Sequence, residues 1–156
     1  NAGLALASEP FHNCDIDQWN TMIDTNVKGL LAVTHAVVQG MVDRKSGHHV
    51  IVSSAVGIIS SPLRSGYAAS KHALHGFYDA LRAEHYQDNI QVSIICPGYI
   101  LTDISINALM GDGTAQNKMD DAQANGITAE DCAKRIIRAI EKNKEEVYIA
   151  KGYIAK

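Results

Sequence analysis

The chain has 156 residues, enough for one domain with a sizeable core. Hydrophobic residues make up 46% and charged residues 20%, and the net charge of −3 offers no basic footprint for nucleic acid. No apolar run approaches membrane-spanning length, and no Lys/Arg-rich run suggests a membrane surface. Cys14, Cys96 and Cys132 are odd in number and widely spaced, so they read as small buried hydrophobes, not as a disulfide framework or zinc site. His72 and His75 lack a third ligand at suitable spacing, and no metal site is expected. The chain begins at Asn1 with no initiator Met and no signal peptide, and it reads as cut from something longer.

Asn1-Ala2-Gly3 leads into a mixed loop. Asp15 then reads as an N-cap, with Gln18 three residues on. From Ile16 to Val42 the apolar residues recur at three- and four-residue spacing, which predicts one long amphipathic helix to about Arg44. Asn26 and Gly29 are poor helix formers in its middle and suggest a bend, or a side chain with a task. Lys45-Ser46-Gly47 closes this helix, and His49-Val50-Ile51-Val52-Ser53 reads as a buried strand ending in Ser53-Ser54. A second helix is expected from Ser65 to Gln87, and a second strand from Ile90 to Cys96, stopped by Pro97-Gly98.

Tyr99 to Ile127 is loosely patterned and too long for a plain connector, which favours a functional flap. Thr128-Ala129-Glu130-Asp131 opens a third helix, with Cys132, Ala133, Ile136, Ile137 and Ile140 as its buried stripe. Val147-Tyr148-Ile149 forms a last strand. No repeat or linker interrupts residues 1–156, which read as a single domain. Helices alternating with buried β-branched strands predict an α/β parallel sheet, with ligands at the carboxyl ends of the strands.

The most informative stretch is Ser65-Gly66-Tyr67-Ala68-Ala69-Ser70-Lys71. Tyr67 and Lys71 are four residues apart and share one helix face, one turn apart. A phenol beside an ammonium is a candidate acid/base, because the positive charge favours phenolate and lowers the pKa. Alone, the pair is equally consistent with a packed Tyr and a solvated Lys.

Five elements occur in a fixed order: Asn1-Ala2-Gly3, then Asn26-Val27-Lys28-Gly29, then Ser54 after a strand, then Tyr67-Ala68-Ala69-Ser70-Lys71, then Pro97-Gly98 with Thr102. Ser54 lies thirteen positions before Tyr67. On these residues the chain resembles the short-chain dehydrogenase/reductase superfamily over nearly its whole length. Arg64-Ser65, Lys71-His72-Ala73, Leu81-Arg82-Ala83-Glu84, Pro97-Gly98-Tyr99-Ile100 and Asn107-Ala108 resemble its member-seven group.

The resemblance implies a tetrad. Tyr67 is general acid/base, and Lys71 lowers its pKa and holds the nicotinamide ribose. Ser54 hydrogen-bonds the substrate oxygen, and Asn26 keeps the helix bend open and holds a water that links Lys71 to solvent. It also implies cofactor contacts at Asn1 and Gly3 on the adenosine side, and at Pro97, Gly98 and Thr102 on the nicotinamide and phosphate side. The cofactor would be NAD or NADP, with NADP favoured, and the substrate a small apolar alcohol or carbonyl compound. A homo-oligomer, dimer or tetramer, is implied, and a membrane anchor in the endoplasmic reticulum would belong to the region before Asn1.

The superfamily's Thr-Gly-x-x-x-Gly-x-Gly loop is absent, and Gly111-Asp112-Gly113 neither follows a strand nor precedes a helix. The expected fold is therefore the second half of a Rossmann-type doubly wound parallel sheet, three layers α/β/α, without its glycine-rich first half. Two rivals follow. One is a truncated, non-catalytic dimerising or binding module. The other is a serine hydrolase using Ser54, for which no Gly-x-Ser-x-Gly elbow exists. An epimerase or lyase relative sharing Tyr67 and Lys71 is a third reading.

Overall fold

The computed structural model describes residues 3–6 and 9–151, so Asn1 lies outside the described residues. The first long helix begins as α1 (Ile16–Ile23), capped by the Asp15 carboxylate, which accepts the Asp17 N–H at 3.0 Å. It continues as α2 (Gly29–Asp43), but the two are joined by one π-helical turn, Asp24–Lys28. The bend expected at Asn26 is this turn, a feature that concentrates at functional sites. The end of α2 is a Schellman motif with Lys45 at the left-handed position: Lys45 N–H bonds Val42 O and Ser46 N–H bonds Met41 O. The expected glycine is not the left-handed residue; Gly47 instead opens β1 (Gly47–Val52).

Helix α3 (Ser65–Glu84) stops short of Gln87, because a 3-10 turn at Tyr86–Asp88 and left-handed Asn89 take over. Strand β2 (Ile90–Pro97) follows. The expected flap is not featureless. It carries β3 (Ile100–Leu101), α4 (Asp121–Ala124) and β4 (Ile127–Thr128), with β3 and β4 paired in parallel. Helix α5 (Ala129–Glu141) is capped by Thr128, whose hydroxyl accepts the Asp131 N–H at 3.1 Å, and β5 (Glu146–Ile149) completes the main sheet.

That sheet has the order β1-β2-β5, all parallel, with Val52 opposite Ile95 and Cys96 opposite Tyr148. Parallel strands need helical crossovers, which place helices on the faces. On one face Leu74, Tyr78 and Leu81 of α3 pack on Ile51, Val92, Ile94 and Cys96. On the other, Cys132 and Ala139 of α5 pack with Ile95, Ile100 and Ile149. The alternation of Ile94, Ile95 and Cys96 between the two clusters is the period of a strand buried on both sides.

Cys96 and Cys132 are the expected buried hydrophobes, whereas Cys14 is half-buried. Ala133 and Ile137 depart from the expected stripe of α5 and are exposed, while Ala139 is buried. Five positions from Cys132, Ile137 lies about 140° around the helix. Val33 and Val37 on α2 are exposed as well.

Candidate active site

The first turn of α3 can form where it does because Gly66 has no side chain. A Cβ there would sit 2.1 Å from Trp19 Nε1 of α1, so only glycine allows the two helices to cross at this point. Tyr67 follows immediately. Lys71, one turn on, brings its Nζ to 5.6 Å from the centroid of the Tyr67 ring. Lys71 is 6% exposed, and its ammonium donates to the Val52 carbonyl at the end of β1 at 3.1 Å. An ammonium has three donors.

The carboxyl ends of β1 and β2 supply the facing wall. Ser54 follows β1, with its hydroxyl accepting the Val56 N–H at 3.3 Å and lying 3.5 Å from the Pro97 carbonyl. Pro97 ends β2, and Gly98 donates its N–H to Ile149 O at 2.8 Å. Between these walls lies a cleft of about 570 Å³ lined by Gly3, Ser54, Tyr67, Lys71, Pro97, Gly98 and Thr102. Tyr99, Ile104, Ala133 and Ile136 form its apolar side. Seven of the nine expected site residues converge here, Gly3 among them from the chain's first described segment. Asn1 is outside the described residues.

Asn26 does not line the cleft. It is 2% exposed and acts from behind. Its Oδ1 accepts the Leu4 N–H at 2.7 Å, and its Nδ2 donates to Leu4 O at 2.8 Å and to the Ser70 hydroxyl at 3.2 Å. Ser70 in turn donates to the Tyr67 carbonyl at 2.8 Å. The amide thus ties the segment after Gly3 to the first turns of α3, and the π turn points it there.

Electrostatics correct one expectation. The Tyr67 phenol is pushed above its ordinary value, not below it, because burial disfavours phenolate; the Ser54 hydroxyl and the Arg64 guanidinium only partly oppose this. The Lys71 ammonium bears the same penalty and is pushed down to about 8. Each charge is disfavoured by the dry surroundings that both groups share.

Three cleft residues were not anticipated as site residues. Arg64 pairs with Asp120 of the flap at 3.3 Å, and Gln116 donates to the same Asp120 carboxylate at 3.0 Å. Gln123 of α4 hydrogen-bonds Ile100 O and, at 3.3 Å, the Thr102 hydroxyl. Arg64 was legible in principle, since it lies three positions before Tyr67 on a helical spacing. Asp120 and Gln123 sit in a segment without periodicity and left no such signal. His72 and His75 are engaged separately, His72 with Ala68 O at 2.9 Å and His75 with the Ser53 hydroxyl at 2.9 Å.

The residues present fit the ribose and nicotinamide end of a dinucleotide. A buried ammonium whose one hydrogen bond among the described residues goes to Val52 O has further donors facing a crevice at the carboxyl ends of parallel strands. The chain holds no glycine-rich loop to cradle the diphosphate.

A parallel α/β sheet with Ser, Tyr and Lys gathered in a crevice at its strand ends defines the class, and the family model described as "short chain dehydrogenase" matches residues 1–111. The chain belongs to the short-chain dehydrogenase family. It is 46% identical over 129 residues to dehydrogenase/reductase SDR family member 7B of Danio rerio, covering 83% of this chain and 42% of that one. It is 42% identical over 149 residues to member 7B of Mus musculus, covering 96% and 46%. The chain therefore spans less than half the length of these relatives. A solved structure described as the closed form of serine dehydrogenase complexed with NADP+ superposes with a TM-score of 0.82 at 30% identity, over 100% of this chain and 66% of that one.

Proposed function

We propose that residues 1–156 are one unit, the catalytic portion of an NAD(P)-dependent oxidoreductase that interconverts an apolar alcohol and the matching carbonyl compound. The observation that carries this reading is the convergence of Ser54, Tyr67 and Lys71 on one cleft, with the Lys71 ammonium against the Tyr67 ring. The nicotinamide cofactor supplies the hydride. NADP is favoured, because the serine dehydrogenase structure that resembles this chain is described as an NADP+ complex.

In the reducing direction Tyr67 gives its proton to the substrate oxygen, and a phenol held above its ordinary pKa is protonated for this at neutral pH. Ser54 donates a hydrogen bond to the same oxygen and stabilises the charge that develops there. Lys71 holds the ribose hydroxyls and offsets negative charge on Tyr67. Asn26 is a positioning residue that fixes the first turns of α3, and its side chain is committed to Leu4 and Ser70. The apolar wall of Tyr99, Ile104, Ala133 and Ile136 suits a hydrocarbon body next to the reacting carbon. Exposed Val33 and Val37 on α2 fit a homo-oligomer.

Tyr67→Phe in the full-length protein is expected to remove at least about 100-fold of turnover, the scale of a lost acid/base group, and to leave NADPH binding within about threefold. Turnover at the parent rate would exclude Tyr67. Absence of NADPH binding by the parent protein would instead support a non-catalytic module.

A further inference from the structure

The tetrad accounts for Tyr67 and Lys71 but not for the next residue on the same face of α3. His75 lies one turn beyond Lys71, and its ring reaches across the sheet. Nε2 is 2.9 Å from the Ser53 hydroxyl at the end of β1 and 3.9 Å from the Cys96 thiol on β2. Nδ1 faces the Glu146 carboxylate on β5 at 3.5 Å. Glu146 accepts a second contact from the Tyr148 phenol at 2.5 Å. One side chain of α3 therefore touches or borders all three strands of the main sheet.

The carboxylate at Nδ1 favours a proton there and leaves Nε2 facing the Ser53 hydroxyl, whose oxygen also lies 3.4 Å from the Lys71 carbonyl of α3, so its one proton is shared between two acceptors on that helix. Burial favours the neutral ring, although Glu146 and Asp79 pull the other way. Serine, histidine and carboxylate in this order resemble a hydrolase nucleophile, but Ser53 is sealed. It is 3% exposed, and a Cβ on Gly57 would come within 2.6 Å of its Oγ and 3.0 Å of His75 Nε2. A substrate has no room to reach that oxygen.

What the bond does is hold main chain. Val52 O receives the Lys71 ammonium, Ser53 N–H bonds Ile95 O at 2.8 Å, and the next residue presents the Ser54 hydroxyl to the cleft. Residues 52–54 thus carry both the Lys71 acceptor and the site hydroxyl. We propose that His75 is a positioning residue: through Ser53 it clamps the end of β1 onto α3 and so sets Ser54 against Tyr67 and Lys71. The kinetic part of this inference rests on the oxidoreductase reading; the structural part does not.

The test compares His75→Leu, His75→Gln and Ser53→Ala in the full-length protein. Amide hydrogen exchange without cofactor or substrate is expected to rise about tenfold at residues 52–55 in His75→Leu and Ser53→Ala. It is expected to recover in His75→Gln, whose amide reaches the place of Nε2. NADPH-dependent reduction of phenanthrenequinone, used as a carbonyl probe, is expected to show kcat down about tenfold in His75→Leu with KM for NADPH unchanged, and recovery in His75→Gln; misplacement of this order carries such losses. Unchanged exchange at 52–55, or loosening spread evenly over the sheet, overturns the proposal, as does failure of His75→Gln to recover either readout. If His75→Leu does not fold, Ser53→Ala is measured in the same two assays, and the same results support or overturn the clamp. A parent protein that binds no NADPH sinks the oxidoreductase reading, while the exchange result still decides for or against the clamp.

Discussion

Lys71→Met should make this protein more stable at neutral pH while destroying its use of the cleft. Burial lowers the Lys71 pKa from 10.5 to about 8. At about 1.4 kcal/mol per pH unit, holding the charged form inside the fold costs roughly 3 kcal/mol. Methionine fills the same linear volume without charge but leaves Val52 O without its donor, which costs about 1 kcal/mol. The net gain expected below pH 8 is therefore about 2 kcal/mol. The sign with pH is fixed by linkage. Below pH 8 both folded and unfolded parent carry the proton, so the penalty is full. Between about 8 and 10.5 the unfolded chain binds more protons than the folded one, and the parent recovers stability as pH rises. The advantage of Lys71→Met should shrink across that window and reverse above it, where only the lost donor to Val52 O, about 1 kcal/mol, remains. Urea unfolding at pH 6, 7, 9 and 10, with unchanged m-values, measures the difference directly, and other titrating groups cancel between the two proteins. An advantage that does not change with pH, or a variant less stable at pH 7, would refute the assignment of this cost to the buried ammonium.

Two further outcomes follow from the geometry. Asn26→Ala strands the Leu4 N–H and C=O and the Ser70 contact, and should lower stability by roughly 2–3 kcal/mol; a melting temperature within a degree of the parent contradicts the tie. Arg64→Leu removes a cation that favours the Tyr67 phenolate, so the pH profile of alcohol oxidation should move to higher pH, and Asp120→Asn, which frees Arg64 from its partner, should move it lower; profiles that overlay the parent's exclude Arg64 from that role.

The layered α/β architecture was legible because its signals are periodic. Buried strands at Val50-Ile51-Val52 and Ile90–Cys96 and the caps at Asp15 and Thr128 appear where local chemistry demands them. The bend at Asn26 was legible as a disagreement between a residue and its helix. What the bend does was not, because its partner Leu4 is 22 positions away. The same reason hid the Arg64–Asp120 pair, 56 positions apart, and the His75–Glu146 contact. Long-range polar contacts carry no local period. The Tyr67 shift was misjudged for another reason: spacing does not show burial, which is the largest cause of the upward shift.

The places where this chain departs from good local practice coincide. A π turn interrupts a long helix at Asn26, a glycine occupies the first turn of α3 at a helix crossing, and an ammonium is buried with one hydrogen bond among the described residues. Each is unfavourable by itself: the π turn breaks regular pairing, glycine gives up helix propensity, and the buried charge gives up hydration. Folding stability alone would not bring three such features within reach of one tyrosine. They are mutually dependent, since the π turn aims Asn26 at Ser70, Ser70 bonds the Tyr67 carbonyl, and Gly66 lets α1 approach. The fold concentrates its unfavourable choices behind a single phenol, which is what the role proposed for Tyr67 would require.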